Sequence, residues 1–381
     1  MTRIEPAGVA HNARPYLYGD EPAAPTRALR TGVHNHSAVT DEFETAVARF
    51  LGMEDTVATA AGTPPLHIAL LAAGVGPGAE VLVPSFTFCA TVQAVVATGA
   101  RPRFVEVDPR TGCVDSAIVL NALTPDTRAV LPVLPVLYGG RPVDLSDAMP
   151  VLDERGITVV EDAAHAFGSQ HGARRVGATG RLTCFSFGPV KNLTCGLGGM
   201  VVPRNPAEAE TCRRLRGLGI AQSAAWRAEA TAYTVETFGT RAQMSSLNAA
   251  IGLARLPHFP RAERIRKALW LAYAALRDMD GVALVDVDIE HAVPHLCAVR
   301  VPTGWNAVFR TLRQRGIGVG THYPPNHPQP AFHPWYRPLA STERTGREIL
   351  TLPFHQHLAE RDIERVAVEL RRAITTAGAD R

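Results

Sequence analysis

Residues 185–200 read FSFGPVKNLTCGLGGM. An apolar run ends at Ser186, and Lys191 follows five residues later in a loop flanked by Gly188, Gly196, Gly198 and Gly199. A lysine in apolar, glycine-rich surroundings is unusual, because stripping water from an ammonium costs free energy and depresses its pKa. A depressed pKa is what an imine-forming amine needs. A solvated surface lysine is the competing reading of any single lysine, so the weight falls on the sequence around it.

Outward from this stretch, short β-rich runs alternate with helical segments. The runs are EVLVP (80–84), RPRFVEVD (101–108), RAVLPVLPV (128–136), TVVEDA (158–163), LTCFSF (182–187) and MVVP (200–203). LHIALLAAG (66–74), FCATVQAVVATG (88–99) and DSAIVLNAL (115–123) have the length and apolar spacing of covering helices. This rhythm predicts an α/β domain with a largely parallel sheet.

After residue 255 the pattern changes to a long amphipathic helix (ERIRKALWLAYAALRDM), a strand-like HLCAVRVP, a helix NAVFRTLRQRG and a closing helix ERDIERVAVELRRAI. That predicts a small α+β domain. Residues 321–338, THYPPNHPQPAFHPWYRP, are expected to form a loop lining a pocket, since each proline removes a donor and fixes φ.

Two further stretches carry possible chemistry. In GTPPLHIALL (62–71), Gly62 and Thr63 precede a helix, with Thr63 as the expected N-cap and Pro64 in the first turn. Free N–H groups and the helix dipole there make a seat for phosphate, although many such starts only cap a helix. In VVEDAAHAFG (159–168) a strand ends in Glu161 and Asp162. A carboxylate at the C-terminal end of a parallel strand sits where open α/β sheets bind ligands, and can pair with a protonated pyridine nitrogen. Capping of the next segment is the equal alternative for Asp162.

Composition excludes several classes. With 46% hydrophobic residues in 381, the chain can bury two cores. The 39 Lys+Arg against 36 Asp+Glu form no basic stripe, so nucleic acid is not an expected partner. No run reaches the roughly 20 apolar residues of a membrane span. The start, MTRIEPAGVAHNARPYLYGDEPA, shows no signal-peptide pattern, and a cytoplasmic protein is expected. The six cysteines lack a C-x-x-C pair and read as free buried thiols. His34, His36, His322, His327 and His333 lack metal-ligand spacing, and no metal is expected.

AGTPPLHIALLAAGVGPGAEVLVPSFTFCAT, VVEDAAHAFGS, FSFGPVKNLTCGLGGM, MSSLNAAIGLARL, GVGTHYPPNH and ILTLPFHQHL occur in one order from about residue 40 to 375. Together they make the chain resemble the DegT/DnrJ/EryC1/StrS sugar aminotransferases, within the fold-type I enzymes of pyridoxal 5′-phosphate (PLP). The resemblance implies a large, mostly parallel, seven-stranded-type sheet domain over residues 1–255, with an N-terminal arm, and a small C-terminal α+β domain over 256–381. It implies Lys191 as the Schiff-base lysine and Asp162 as partner of the pyridine nitrogen. Ser186, Gly62 and Thr63 would hold the phosphate, Phe88 would stack on the ring, and His165 would lie at its other face; core packing is the alternative for Phe88 and His165. Arg241 matches a residue that reaches the phosphate of a neighbouring subunit's cofactor, which implies a homodimer with shared sites. His322 and Tyr323 match a loop near the substrate.

The implied reaction moves an amino group from an amino acid, L-glutamate foremost, to a nucleotide-linked keto-sugar in amino-sugar or antibiotic biosynthesis. A keto-cyclitol acceptor, a sugar dehydratase using pyridoxamine phosphate, and a non-catalytic PLP-binding regulator are the alternatives. Dehydratases of this family replace the lysine with histidine, so Lys191 favours transamination. Three departures from the family pattern, Pro64 with Pro65, Leu197 and Val136, lie where the acceptor would be recognised.

Overall fold

The computed structural model describes residues 8–30, 34–123, 130–222, 226 and 229–379. The first seven residues, and positions 128–129 of one expected strand, lie outside the described residues.

Among the described residues twelve strands follow in chain order: β1 (Val57–Thr59), β2 (Glu80–Pro84), β3 (Arg101–Val105), β4 (Val130–Val133), β5 (Val160–Asp162), the short pair β6 (Gln170–His171) and β7 (Arg174–Arg175), β8 (Leu182–Ser186), β9 (Gly199–Val202), β10 (Ala283–Leu284), β11 (Cys297–Arg300) and β12 (Ile349–Leu352). The large sheet consists of β1-β9-β8-β5 and β3-β2-β4. Parallel bridges Val133↔Val159 and Val136↔Asp162 set β4 beside β5, giving a seven-strand order β1-β9-β8-β5-β4-β2-β3. Only β9 runs against the rest, pairing antiparallel with both β1 and β8. The C-terminal ends of β2, β4, β5 and β8 therefore share one edge, where such sheets bind ligands.

β5 and β8 are fully buried, and so read as continuous apolar runs rather than alternating ones. The helix Thr63–Ala72 packs on β8, β9 and β5, burying Leu66, Ile68, Ala69 and Leu70. Its N-cap is Gly62, not Thr63 as expected; Thr63 is the first helical residue and the prolines follow within the first turn. Pro fits there because its missing N–H would lack an intrahelical partner anyway.

The C-terminal unit joins the antiparallel sheet β10-β11-β12 to helices Phe259–Tyr273, Trp305–Gln314 and Glu360–Ala379. Trp270, Tyr273, Val299, Leu312, Leu350, Val366 and Leu370 form its core. Each such apolar side chain, fully buried, contributes about 1.5–3 kcal/mol. The N-terminal arm packs on this unit: Val9 joins the core, the Gly318 N–H donates to Val9 O (2.7 Å), and Asn12 Nδ2 donates to Thr351 O (2.9 Å). Residues 321–338 form a loop as expected, except for one 3₁₀ segment, Pro330–Trp335, that a proline opens.

Candidate active site

At the shared strand edge lies a cavity of about 430 Å³, bordered by Gly62, Thr63, Phe88, Asp162, His165, Ser186, Lys191, His322 and Tyr323. Positions from 62 to 323 thus meet at one place. Arg241 does not border it; it lies exposed, bridged through its backbone to Gly217. A larger cleft of about 610 Å³ between Arg110, Arg141, His171 and His291 contains none of these residues.

The two-residue period of β5 separates its carboxylates. Glu161 points away from the cavity, held by Arg181 (2.8 Å) and Thr183 Oγ1 (3.0 Å). Asp162 points into it. Its Oδ2 accepts from Thr91 Oγ1 (2.7 Å) and its Oδ1 from the Ala164 N–H (3.1 Å). Burial pushes this carboxyl up from its ordinary value, while Thr91, the Ala164 N–H and the Lys191 ammonium act against that rise. Thr87 Oγ1 in turn lies 2.9 Å from Thr91 Oγ1, so a short hydroxyl chain ends on the carboxylate.

The chain has two lysines, Lys191 and Lys267. Lys267 sits on an exposed helix surface, near Glu263 (3.4 Å). Lys191 is half-buried at the cavity, where desolvation brings its pKa down to about 8 against the opposing attraction of Asp162. Asn192 anchors the lysine's backbone neighbourhood: its Nδ2 donates to His165 O (3.2 Å) and Val293 O (2.9 Å), and its Oδ1 faces His295 Nδ1 (3.2 Å).

Ser186, ending β8, meets the start of helix Thr63–Ala72. A Cβ at Gly62 would overlap Ser186 Oγ, so only glycine lets the two donor-bearing segments come this close. The Thr63 N–H, the Thr63 hydroxyl and Ser186 Oγ form a cup suited to one phosphate, whereas Pro64 and Pro65 supply no donors. Phe88, 55% exposed, presents an open aromatic face to the cavity. An amine, a buried acid, an anion cup and an aromatic wall are the groups a phosphorylated pyridine aldehyde requires, and the residues fit PLP. Val136 and Leu197 also border the cavity and add apolar surface to it.

A clamp that sequence reading missed fixes the loop before Phe88. Asn326 Nδ2 donates to Ser85 O (3.0 Å) and Thr87 O (2.7 Å), and the His327 N–H donates to Ser85 Oγ (2.9 Å). Ser85 Oγ lies 2.6 Å from His327 Nδ1, and His327 Nε2 lies 3.2 Å from Glu343. His327 is fully buried in this role. Cys89 differs from expectation as well: it is exposed, while the other five cysteines are buried and free. His36, Asp41 and Glu44 bring ligand atoms near one another, but Glu44 already serves Arg216 and the Ala58 N–H.

The model of the DegT/DnrJ/EryC1/StrS aminotransferase family matches residues 17–371. The chain belongs to that family. Among solved structures, DesV of S. venezuelae is 34% identical, with 93% of this chain and 94% of that chain covered and a TM-score of 0.85. The aminotransferase TlmJ from Streptoalloteichus hindustanus is 32% identical, covering 97% and 100%, with a TM-score of 0.88. The sugar aminotransferase CalS13 from Micromonospora echinospora is 27% identical, covering 95% and 99%, again with a TM-score of 0.88. This member of the DegT/DnrJ/EryC1/StrS family is accordingly a PLP-dependent aminotransferase of fold type I. Among its described residues no helix is long and apolar enough to cross a membrane.

Proposed function

We propose that this aminotransferase takes an amino group from L-glutamate and delivers it to the carbonyl of a nucleotide-linked keto-sugar, with Lys191 as the cofactor-bound amine and proton carrier. The observation that carries this reading is the placement of a depressed-pKa lysine and a buried aspartate in one cavity. Bound PLP supplies an electron sink for the charge left when the donor Cα–H is broken.

Asp162, steadied by Thr91, keeps the pyridine nitrogen protonated. Lys191 Nζ, once free, would accept the donor Cα proton and hand it to the cofactor carbon that had carried the aldehyde, and in the second half the reverse transfer would place a proton on the acceptor carbon. Gly62, Thr63 and Ser186 hold the phosphate, while Phe88 and His165 bound the ring. Solved relatives include a sugar aminotransferase, CalS13, which supports a sugar acceptor. A keto-cyclitol has the same reactive carbonyl and is the second acceptor class to test.

We assign residues 1–255 to the cofactor domain and 256–381 to the smaller one. The segment around Arg241 exposes Tyr233, Val235 and Phe238, the last at 95%. In this reading that apolar edge meets a second copy of the chain and Arg241 completes the partner's phosphate cup, pairing in a bidentate way.

The test is visible absorbance of the PLP-loaded protein. Adding glutamate removes the long-wavelength band, and a keto-sugar acceptor restores it. No change with any amino donor would sink the proposal.

A further inference from the structure

Tyr323 borders the cavity 5.6 Å, ring to ring, from Phe88. Its hydroxyl lies 3.1 Å from His165 Nε2, and among the described residues this is its one hydrogen-bond partner. The direction of that bond is fixed from behind. The Gly139 N–H donates to His165 Nδ1 (3.3 Å), so Nδ1 must be a lone-pair acceptor. A neutral imidazole with an acceptor Nδ1 carries its proton on Nε2, which therefore donates to Tyr323 Oη. Among the described residues the phenol's own proton is left without an acceptor.

We propose that His165 is a positioning residue that makes Tyr323 a one-way hydrogen-bond donor to a neutral oxygen, carbonyl or hydroxyl, of the keto acceptor. The inference rests on the reading of the cavity as the acceptor site. A neutral donor beside Phe88, Val136 and Leu197 suits an uncharged oxygen, whereas a carboxylate would call for an arginine fork. Among the described residues, the groups that face His165 are cationic or neutral donors or rings: Lys191, His322, His295 with its ring tilted at 4.1 Å, Tyr138 and Tyr323. None stabilises a second proton on the imidazole, and burial disfavours it further.

The idea separates substitutions that look alike. His165→Gln keeps the polarity, since its carbonyl accepts from Gly139 and its amide donates to Tyr323. His165→Leu keeps neither bond.

Two measurements test it. The first is ¹⁵N NMR of the PLP-loaded, histidine-labelled protein, with His165→Gln identifying the resonance by its loss. An Nε2–H tautomer is expected; an Nδ1–H tautomer or a doubly protonated ring overturns the proposal. The second is kcat/KM for each substrate, with L-glutamate as donor and a nucleoside-diphosphate-linked 4-keto-6-deoxyhexose as acceptor. Tyr323→Phe should lose about tenfold more for the keto-sugar than for glutamate. His165→Leu should match that split, and His165→Gln should recover most of it. Equal losses for both substrates, or a His165→Gln as damaged as His165→Leu, overturn the proposal. If the wild type fails to turn over glutamate with any keto-sugar, the functional reading fails instead, and the tautomer still decides the polarity.

Discussion

Replacing Thr91 by valine removes one oxygen and almost no volume. That oxygen donates a 2.7 Å hydrogen bond to a carboxylate only 4% exposed, so solvent cannot take its place. A hydrogen bond to a charged group contributes about 1.5–3 kcal/mol, equivalent to roughly 10- to 150-fold in an equilibrium constant. PLP binding uses the ionised form of Asp162, and Thr91→Val should weaken it by about that factor. The sign with pH follows from the shift. Burial already raises the Asp162 pKa, and loss of the hydroxyl raises it further. The deficit in affinity is therefore largest on the acid side and shrinks as pH rises. Titrating the cofactor-free protein with PLP at pH 6 and pH 8, and following the bound-cofactor absorbance, measures it. Thr91→Ser should regain most of the loss. A Thr91→Val protein that binds PLP as tightly as wild type at both pH values would refute the claim that this hydroxyl supports a carboxylate essential to the site.

Capture of PLP by the cofactor-free protein should accelerate with pH around a midpoint near 8, because the neutral Lys191 amine appears there rather than near 10.5. Stopped-flow rates between pH 6 and 10 check this, and Asp162→Asn, which removes the charge opposing deprotonation, should shift the midpoint downward. Gly62→Ala should weaken PLP binding, since the new methyl overlaps Ser186 Oγ in the phosphate cup, while thermal unfolding of the cofactor-free protein registers any loss of fold. Asn326→Ala removes two donors to the loop before Phe88 and should lower stability by about 1–3 kcal/mol, read by denaturant unfolding. Arg241→Ala and Lys191→Ala chains, each inactive alone, should regain activity when refolded together, because one site in the hybrid then holds both residues; no recovery in proven hybrids would contradict a shared site.

The parts of the site legible in the sequence were those with local signals. Asp162 and Ser186 end apolar strand runs, and Lys191 follows in a glycine-rich loop, so strand ends and glycines alone place them near one edge. Thr91 left a weaker signal, in the first turn of the helix that begins just after Phe88, and its partner lies 71 residues away. Asn326 and His327 act on Ser85 across more than 240 positions, which no periodicity encodes. The lone antiparallel strand β9 was also invisible, since a buried apolar run carries no direction. The arm's packing on the C-terminal unit rests on scattered single contacts, the burial of Val9, two backbone bonds and the Asn12 side chain among them, rather than on a periodic pattern. Arg241 was legible only by resemblance, because within one chain it does not border the cavity.

Lys191 is the lysine proposed to carry the cofactor, and because Lys267 is the only other lysine in the chain, the assignment can be tested directly. Borohydride reduction of the PLP-loaded protein, followed by proteolysis and mass spectrometry, should find one phosphopyridoxyl group on the peptide containing Lys191 and none on that containing Lys267. A label on Lys267, or an unlabelled Lys191 peptide from protein that shows the bound-cofactor absorbance, would overturn the assignment of Lys191.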